Sequence, residues 1–166
     1  YIDDDDNIDS VLTKVSAVSN AHAMSAYTLL AKHSAYAEHV RTGRYAINGS
    51  NGALVTFRHM KNGLQTPVNL TVPSVRTTDR LAAELSKKLM LDSAAISHAL
   101  KDEAVCQKYG YDTATIACMF IPNTYDIYWN TSIDHLLERM QKESKRFWNS
   151  ERTKKAADMK LSPVQV

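Results

Sequence analysis

The sequence is poor in residues that interrupt regular structure, with Gly 5 and Pro 4 among its 166 residues. Because the hydrophobic fraction is 44%, this scarcity excludes a mostly disordered, collagen-like or low-complexity chain. No apolar run approaches the length of about 18 residues that a membrane-spanning helix needs. The length suits one domain with a sizeable core.

A strong charge of either sign is also missing, since Lys and Arg number 20, Asp and Glu number 18, and the formal net charge is +2. Non-specific affinity for nucleic acid would therefore need a local basic patch. The histidines and cysteines do not group with the spacing of metal ligands, so no metal and no cofactor is expected. No catalytic motif stands out, and the sequence does not favour an enzyme.

The N-terminal part is predicted to form one long helix from Ser10 to Arg41, because bulky residues recur there at spacings of three and four. Alanine and serine fill much of the rest, which permits another helix to approach closely. Ala23, Ala26 and Ala37 are therefore predicted to lie at close contacts with another helix or a second subunit. The pattern does not distinguish these two alternatives.

The rest of the chain alternates between strand-like and helix-like patterns. Strands are predicted over 54–60 and 68–72 with a hairpin loop at 61–63, and again over 114–121 and 125–129. Helices are predicted after Thr78 or Asp79, after Asp92 and, over a long stretch, after Ser132.

These elements predict the α+β class, in which a long N-terminal helix packs on a small antiparallel sheet and further helices follow, including a long C-terminal one. The expected division is an acidic N-terminal segment over 1–9, a single α+β domain over 10–161 and a C-terminal tail over 162–166. The aspartates of the first segment are interpreted as a solvated end of the chain.

Cys106 and Cys118 are the only two cysteines. Their spacing allows the chain to fold back and form a disulfide, whose closed loop would stabilise the fold by about 3 kcal/mol. Two separate buried thiols are an equally favoured interpretation.

The last helix is rich in cations, and Arg146, Arg152, Lys154 and Lys155 are candidates for binding a polyanion. An amphipathic helix that packs its aromatic residues on the core and keeps its lysines in water is the favoured interpretation. Residues 81–100 resemble a helix-turn-helix, but the segment between the two helices is too long for that motif.

The layout of a long Ala- and Ser-rich helix, a Gly-containing connection and a following sheet resembles the soluble part of a type IV pilin or pseudopilin. The resemblance covers residues 10–121, rests on no sequence motif and does not extend to the long helix after Ser132. It implies filament or secretion-apparatus assembly without catalysis, and pairing of Cys106 with Cys118.

The leading hypothesis is a non-enzymatic structural, assembly or interaction domain in the cell envelope or the extracellular space. Its expected partners are proteins or further copies of itself, and membrane contact is expected only through an anchor removed from the N-terminus. The alternative is a cytoplasmic nucleic-acid-binding regulator that uses the 81–100 helices or the basic C-terminal helix.

Overall fold

The computed structural model describes residues 1–166 and contains two compact units. Unit 1 comprises Tyr1–Pro67 and Tyr128–Asn130, and unit 2 comprises Val68–Ile127 and Thr131–Val166. Eight α-helices, two 3-10 helices and one two-stranded antiparallel sheet confirm the predicted α+β class. The expected single domain over 10–161 stays a prediction.

The first unit is helical, and its elements are α1 (Ile8–Ser16), α2 (Ala21–Lys32), a 3-10 helix (Ala35–Glu38) and α3 (Ala53–Asn62). The predicted single helix from Ser10 to Arg41 is therefore wrong. The chain turns after α1, and the side chain of Asn20 accepts a hydrogen bond from the backbone N–H of Ala23, which starts a new helix. Asparagine favours such N-cap positions over helix interiors.

Helix α3 replaces the strand that was predicted over 54–60. Its buried residues Thr56, Phe57 and Met60 follow the spacing of one helix face, whereas Leu54 and Val55 are exposed. Gly63, with φ of 68°, ends the helix in the left-handed conformation and takes the place of the predicted hairpin loop.

The core of unit 1 is built around aromatic side chains. Phe57 makes edge-to-face contacts with Tyr27 and Tyr36, with ring centroids 5.9 and 5.8 Å apart. The Tyr27 hydroxyl donates to Sδ of Met60 at 3.2 Å, but the buried hydroxyl of Tyr36 has no hydrogen-bond partner. Burial raises the pKa of Tyr36 to about 12.

The N-terminal residues are attached to unit 1 by two sets of polar contacts. Ile2 and Gly43 exchange two backbone hydrogen bonds of 2.9 Å. Gly43 has φ of 151°, and a Cβ at this position would lie 2.4 Å from Cδ of Gln65. Lys14 pairs with Asp3 at 2.7 Å and with Asp6 at 2.5 Å, so part of the acidic segment is bound rather than solvated.

The second unit contains the sheet and five of the helices. Its elements are β1 (Val68–Val72), α4 (Thr78–Ser86), α5 (Ser93–Lys101), α6 (Glu103–Lys108), a 3-10 helix (Ile116–Met119), β2 (Asn123–Ile127), α7 (Ile133–Phe147) and α8 (Ser150–Asp158). Strand β1 pairs antiparallel with β2, with Val68 opposite Ile127 and Val72 opposite Asn123. Alternate residues of β1 are buried, as the period of two predicts.

The predicted strand over 114–121 is wrong, because this stretch forms a turn and a 3-10 helix. The Asp112 carboxylate accepts hydrogen bonds from the backbone N–H groups of Ala114 and Thr115 at 2.9 and 2.8 Å. Such side-chain bonds favour a turn over an extended strand. The apolar residues Ile116 and Met119 still enter the core from this short helix.

The long C-terminal helix is also interrupted. Helix α7 ends at Phe147, and the side chain of Asn149 accepts a hydrogen bond from the backbone N–H of Arg152 to start α8. The interruption leaves Trp148 between the two helices with non-helical ψ of 60°. Aliphatic and methionine side chains fill most of the core of unit 2, among them Leu70, Leu81, Leu85, Leu100, Leu136, Leu137 and Met140, and Tyr109, Phe120 and Tyr125 are buried with them.

Candidate functional site

Three segments that are distant in the sequence converge on one groove in unit 2. The loop Pro73–Arg76 links β1 to α4, the stretch 117–122 leads into β2, and Phe147 with Trp148 closes α7. Residues 163–166 complete the wall. The groove encloses about 560 Å³, which falls in the range of ligand-binding sites. We call it the aromatic groove.

Local chemistry explains why the loop Pro73–Arg76 separates β1 from α4 at the groove. Pro73 lacks the N–H that another residue of the ladder would need, so β1 ends at Val72. Thr77 accepts a hydrogen bond from the backbone N–H of Arg80 and so starts α4. The four residues between these points are therefore left as a loop along the groove.

The aromatic end of the groove is held by neighbouring side chains. The rings of Phe147 and Trp148 meet edge to face, with centroids 5.3 Å apart. The guanidinium of Arg152 lies 4.3 Å from the centre of the Phe147 ring, and its Nη1 donates to the Phe147 carbonyl oxygen at 2.9 Å. Both rings are half-buried, so they present apolar area to the groove in a fixed orientation.

A second depression adjoins the aromatic groove and shares the loop Pro73–Arg76 with it. It encloses about 570 Å³, and Arg76, Thr77, Arg80 and Glu84 contribute to its lining. Arg76 and Arg80 are exposed and form no ion pair, whereas Glu84 is paired with Lys87 at 2.7 Å. We call this the arginine depression.

The two cysteines are separate free thiols, so the predicted disulfide between Cys106 and Cys118 is not formed. The buried Cys106 donates to the carbonyl oxygen of Leu100 at 3.4 Å. Burial raises its pKa, and the nearby carboxylates of Glu103 and Asp102 raise it further. Cys118 is half-buried in the aromatic groove and donates to the carbonyl oxygen of Val164 at 3.8 Å.

The residues predicted to bind a polyanion do not form one cluster of free charge. Lys155 is paired with Glu151 at 2.8 Å, and Arg152 is held against Phe147 beside the aromatic groove. Arg146 and Lys154 are exposed and form no ion pair. Polyanion binding by these four residues stays a prediction.

The candidate contact alanines lie in unit 1. Ala26 and Ala37 are exposed and Ala23 is half-buried, so Ala26 and Ala37 are not packed within the chain. Their contact with a second subunit stays a prediction. In the 81–100 region, Asp79 binds both Ser97 and Lys101 at 2.6 and 2.5 Å, which ties α4 to α5.

The sequence did not indicate Arg76, Arg80 or the aromatic groove as a site. The walls of the groove come from segments that are distant in the sequence, and no local pattern records that they meet. The signals that were present are Pro73 and Thr77, which mark a loop between a strand and a helix, where binding residues often lie. No group of three or more His, Cys, Asp or Glu side chains is placed to hold a metal ion.

The model of the YceG-like family matches residues 1–166. This match contradicts the resemblance to type IV pilins and pseudopilins, which rested on a long first helix that the structure does not contain. The family is associated with the cell envelope, and no helix of the chain is long and apolar enough to cross a membrane. Neither a curated protein nor a solved structure matches the chain significantly. On the match over its whole length, the chain belongs to the YceG-like family.

Proposed function

We propose that this chain is an interaction domain of a cell-envelope protein and that it binds its partner in the aromatic groove. The observation that carries the proposal is the meeting of three distant segments around about 560 Å³ of open space beside Phe147 and Trp148. The association of the family with the cell envelope supports the location.

The state of the two aromatic rings favours binding over a purely structural role. A ring that serves only the core is buried, as Tyr27 is in unit 1 with 1% exposure. Phe147 and Trp148 are instead half-buried and keep part of their surface in the groove. Because their mutual contact and Arg152 already restrict the two rings, these side chains would lose little conformational entropy when a ligand binds.

The alternative of a nucleic-acid-binding regulator has less support. Lys87 and Lys155, which belong to the two regions it invokes, are paired with Glu84 and Glu151. Paired cations attract a phosphate backbone less than free ones, because the neighbouring carboxylate repels it. The cations of α7 and α8 line neither the aromatic groove nor the arginine depression.

Photo-crosslinking in the native envelope tests the proposal. A photoreactive phenylalanine analogue replaces Trp148, and the same analogue at the exposed Lys88 serves as the control position. We expect a discrete adduct from position 148 and none from position 88. A second change then fills the groove: Ala117→Trp, at a residue that lines the groove, is compared with Ala83→Trp on the exposed side of α4.

The adduct from position 148 should disappear with Ala117→Trp and persist with Ala83→Trp. Circular dichroism of each variant shows whether the fold is retained. Equal adducts from positions 148 and 88, or an adduct that Ala117→Trp leaves unchanged in a folded chain, would refute binding in the groove.

A further inference from the structure

We propose that Asn48 is a site of self-modification, at which the side-chain amide is converted to a carboxylate without an enzyme. This inference goes beyond ligand binding in the aromatic groove, because it concerns the loop that precedes α3 in unit 1. It starts from the sequence of that region, in which asparagine is followed directly by glycine three times, at Asn48, Asn51 and Asn62.

The reaction at Asn48 needs only the chain and water. The deprotonated backbone nitrogen of Gly49 attacks Cγ of Asn48, so that a succinimide ring closes and the side-chain nitrogen leaves as ammonia. Water then opens the ring, giving aspartate when the ring nitrogen leaves Cγ and isoaspartate when it leaves the backbone carbonyl carbon. One bond to carbon forms and one breaks in each step, and nothing is oxidised or reduced. The two reacting atoms lie close together because they are neighbours in one chain.

The structure leaves the reacting groups of Asn48 accessible. Asn48 and Gly49 are both exposed, in a turn closed by a 2.9 Å hydrogen bond from the N–H of Asn51 to the Asn48 carbonyl oxygen. The N–H of Gly49 donates to no backbone carbonyl. No atom lies within 4 Å of the place that a Cβ on Gly49 would take. Base from the solvent can therefore remove the Gly49 proton, and ammonia can leave freely.

Asn62 has the same following residue in a different structural setting. It is the last residue of α3, and the N–H of Gly63 donates to the carbonyl oxygens of His59 and Met60. The side chain of Arg41 covers this glycine, since a Cβ on Gly63 would lie 3.1 Å from Cδ of Arg41. The attacking nitrogen is therefore already engaged, and the end of the helix must open before Asn62 can react.

Asn51 is the intermediate case. It is half-buried, and the N–H of the following Gly52 donates to no backbone carbonyl. The Gly52 carbonyl oxygen accepts hydrogen bonds from the N–H groups of Val55 and Thr56 at 3.0 and 3.1 Å. These bonds hold the peptide at the start of α3 and restrict the rotation that ring closure requires. The structure thus favours Asn48 as the site that reacts first.

The modification occurs where the fold can tolerate it. Residues 48–50 are exposed, so no buried contact is lost when Asn48 changes. Conversion lowers the formal net charge of +2 by one, and isoaspartate also adds a methylene group to the backbone. Modified chains should therefore remain folded, and their fraction should increase with the age of the protein.

Incubation of the full folded chain at mildly alkaline pH tests the proposal. The water is labelled with heavy oxygen, which is incorporated when the succinimide is hydrolysed. Proteolytic mapping with electron-transfer fragmentation then measures aspartate and isoaspartate at each asparagine, and circular dichroism checks the fold. A parallel incubation in urea gives the rates of the unfolded chain, where all three asparagines have the same following residue and no helix.

We expect Asn48 in the folded chain to be converted about tenfold faster than Asn62, because hydrogen bonds of Gly63 must break first. Asn51 should fall between them, and the three rates should converge in urea. The rate at Asn48 should rise with pH, since the deprotonated nitrogen is the nucleophile.

A matched pair of variants separates the sites. Gly49→Ala should slow conversion of Asn48 alone, because the new methyl group hinders ring closure. Gly52→Ala should slow conversion of Asn51 alone. Neither new Cβ meets another atom, so both variants should fold.

Three outcomes would overturn the proposal. The first is a folded chain that retains the Asn48 amide while the unfolded chain loses it, which would show that the loop protects this residue. The second is equal conversion of Asn48 and Asn62 in the folded chain, which would remove the structural selection. The third is conversion to aspartate with no isoaspartate, which would exclude the succinimide route.

Discussion

The two units are stabilised by cores of different chemistry. Unit 1 packs Tyr27, Tyr36 and Phe57 around Met60, so its interior contains rings and two hydroxyl groups. Unit 2 is filled mostly by leucine, isoleucine and methionine. Its buried rings Tyr109, Phe120 and Tyr125 do not stack on one another, and its one ring pair, Phe147 with Trp148, is half-buried at the groove.

This difference separates two uses of aromatic residues. In unit 1, edge-to-face contacts fix the angle between α2, α3 and the 3-10 helix, which gives geometric specificity beyond the area buried. The core of unit 2 is mostly aliphatic and depends mainly on volume, so it can supply stability while Phe147 and Trp148 remain available for binding. The first unit should therefore tolerate changes of shape less well than the second.

The largest effect is expected where a ring contact is replaced by an aliphatic side chain. Phe57→Leu should lower the free energy of unfolding by about 2–3 kcal/mol, because two ring contacts worth about 0.5–1.5 kcal/mol each are lost along with some volume. Leu100→Met in unit 2 conserves volume and should cost less than about 1.5 kcal/mol. Urea denaturation compares the two. Equal losses would remove the distinction between the cores.

A smaller effect, of opposite sign, is expected at the unpartnered hydroxyl of Tyr36. Tyr36→Phe should raise the free energy of unfolding by about 1 kcal/mol, because a buried donor without a partner is removed. Tyr27→Phe should instead lower it slightly, since the hydrogen bond to Met60 is lost.

The hydroxyl of Tyr109 in unit 2 is also buried without a partner, so Tyr109→Phe is the matched variant. It should raise the stability as Tyr36→Phe does. Thermal unfolding of the three variants gives the order of their stabilities. A loss of stability in both would show that these hydroxyls are satisfied in solution.

The smallest effect concerns acid sensitivity at the start of unit 1. Burial acts to raise the pKa of Asp6, but hydrogen bonds from Lys14, Ser10 and the backbone of Asp3 outweigh it and lower the value from 3.8 to about 2. The folded state therefore binds a proton less readily than the unfolded state. The stabilisation is present above the ordinary pKa and is lost as the pH falls through about 2.

Because Lys14 is partly exposed and screened, we expect this loss to be about 1 kcal/mol or less. Unfolding in urea measures it, from about pH 5, where Asp6 is ionised in both states, down to about pH 2. Lys14→Gln should flatten the dependence. Parallel curves for the two proteins would show that Lys14 does not lower the pKa of Asp6.

The sequence predicted the parts of the fold that depend on local chemistry. Asp92 and Ser132 start helices as expected, and the alternation of Val68, Leu70 and Val72 identified β1. Asn20 and Asn149 carried the signal for the two helix interruptions, but the apolar spacing continued across them and outweighed it. The short apolar run at 54–60 is compatible with the period of a strand and with that of a helix. In the structure it is a helix, with Gly52 before its first residue and Gly63 after its last.

The candidate site was harder to predict from the sequence, because it depends on tertiary structure. Phe147 and Trp148 were predicted to pack on the core, and only the end of α7 at this point turns them towards the groove. Arg76 and Arg80 look like ordinary surface residues until the loop from Pro73 places Arg76 in the lining of the aromatic groove and both arginines in the adjoining depression. Pairing of distant segments is not recorded in any local pattern of residues.

The close approach of Gly43 to Gln65 has a consequence for how the sequence can diverge. No side chain fits at position 43 while the Gln65 side chain occupies its present place, and the backbone angle there also disfavours other residues. The constraint runs in one direction: a side chain at position 43 stays strained by the backbone angle even if Gln65 moves away, whereas position 65 can vary while glycine remains at 43. We therefore expect glycine to persist at position 43, where the backbone pairs with Ile2, and Gln65 to diverge more freely.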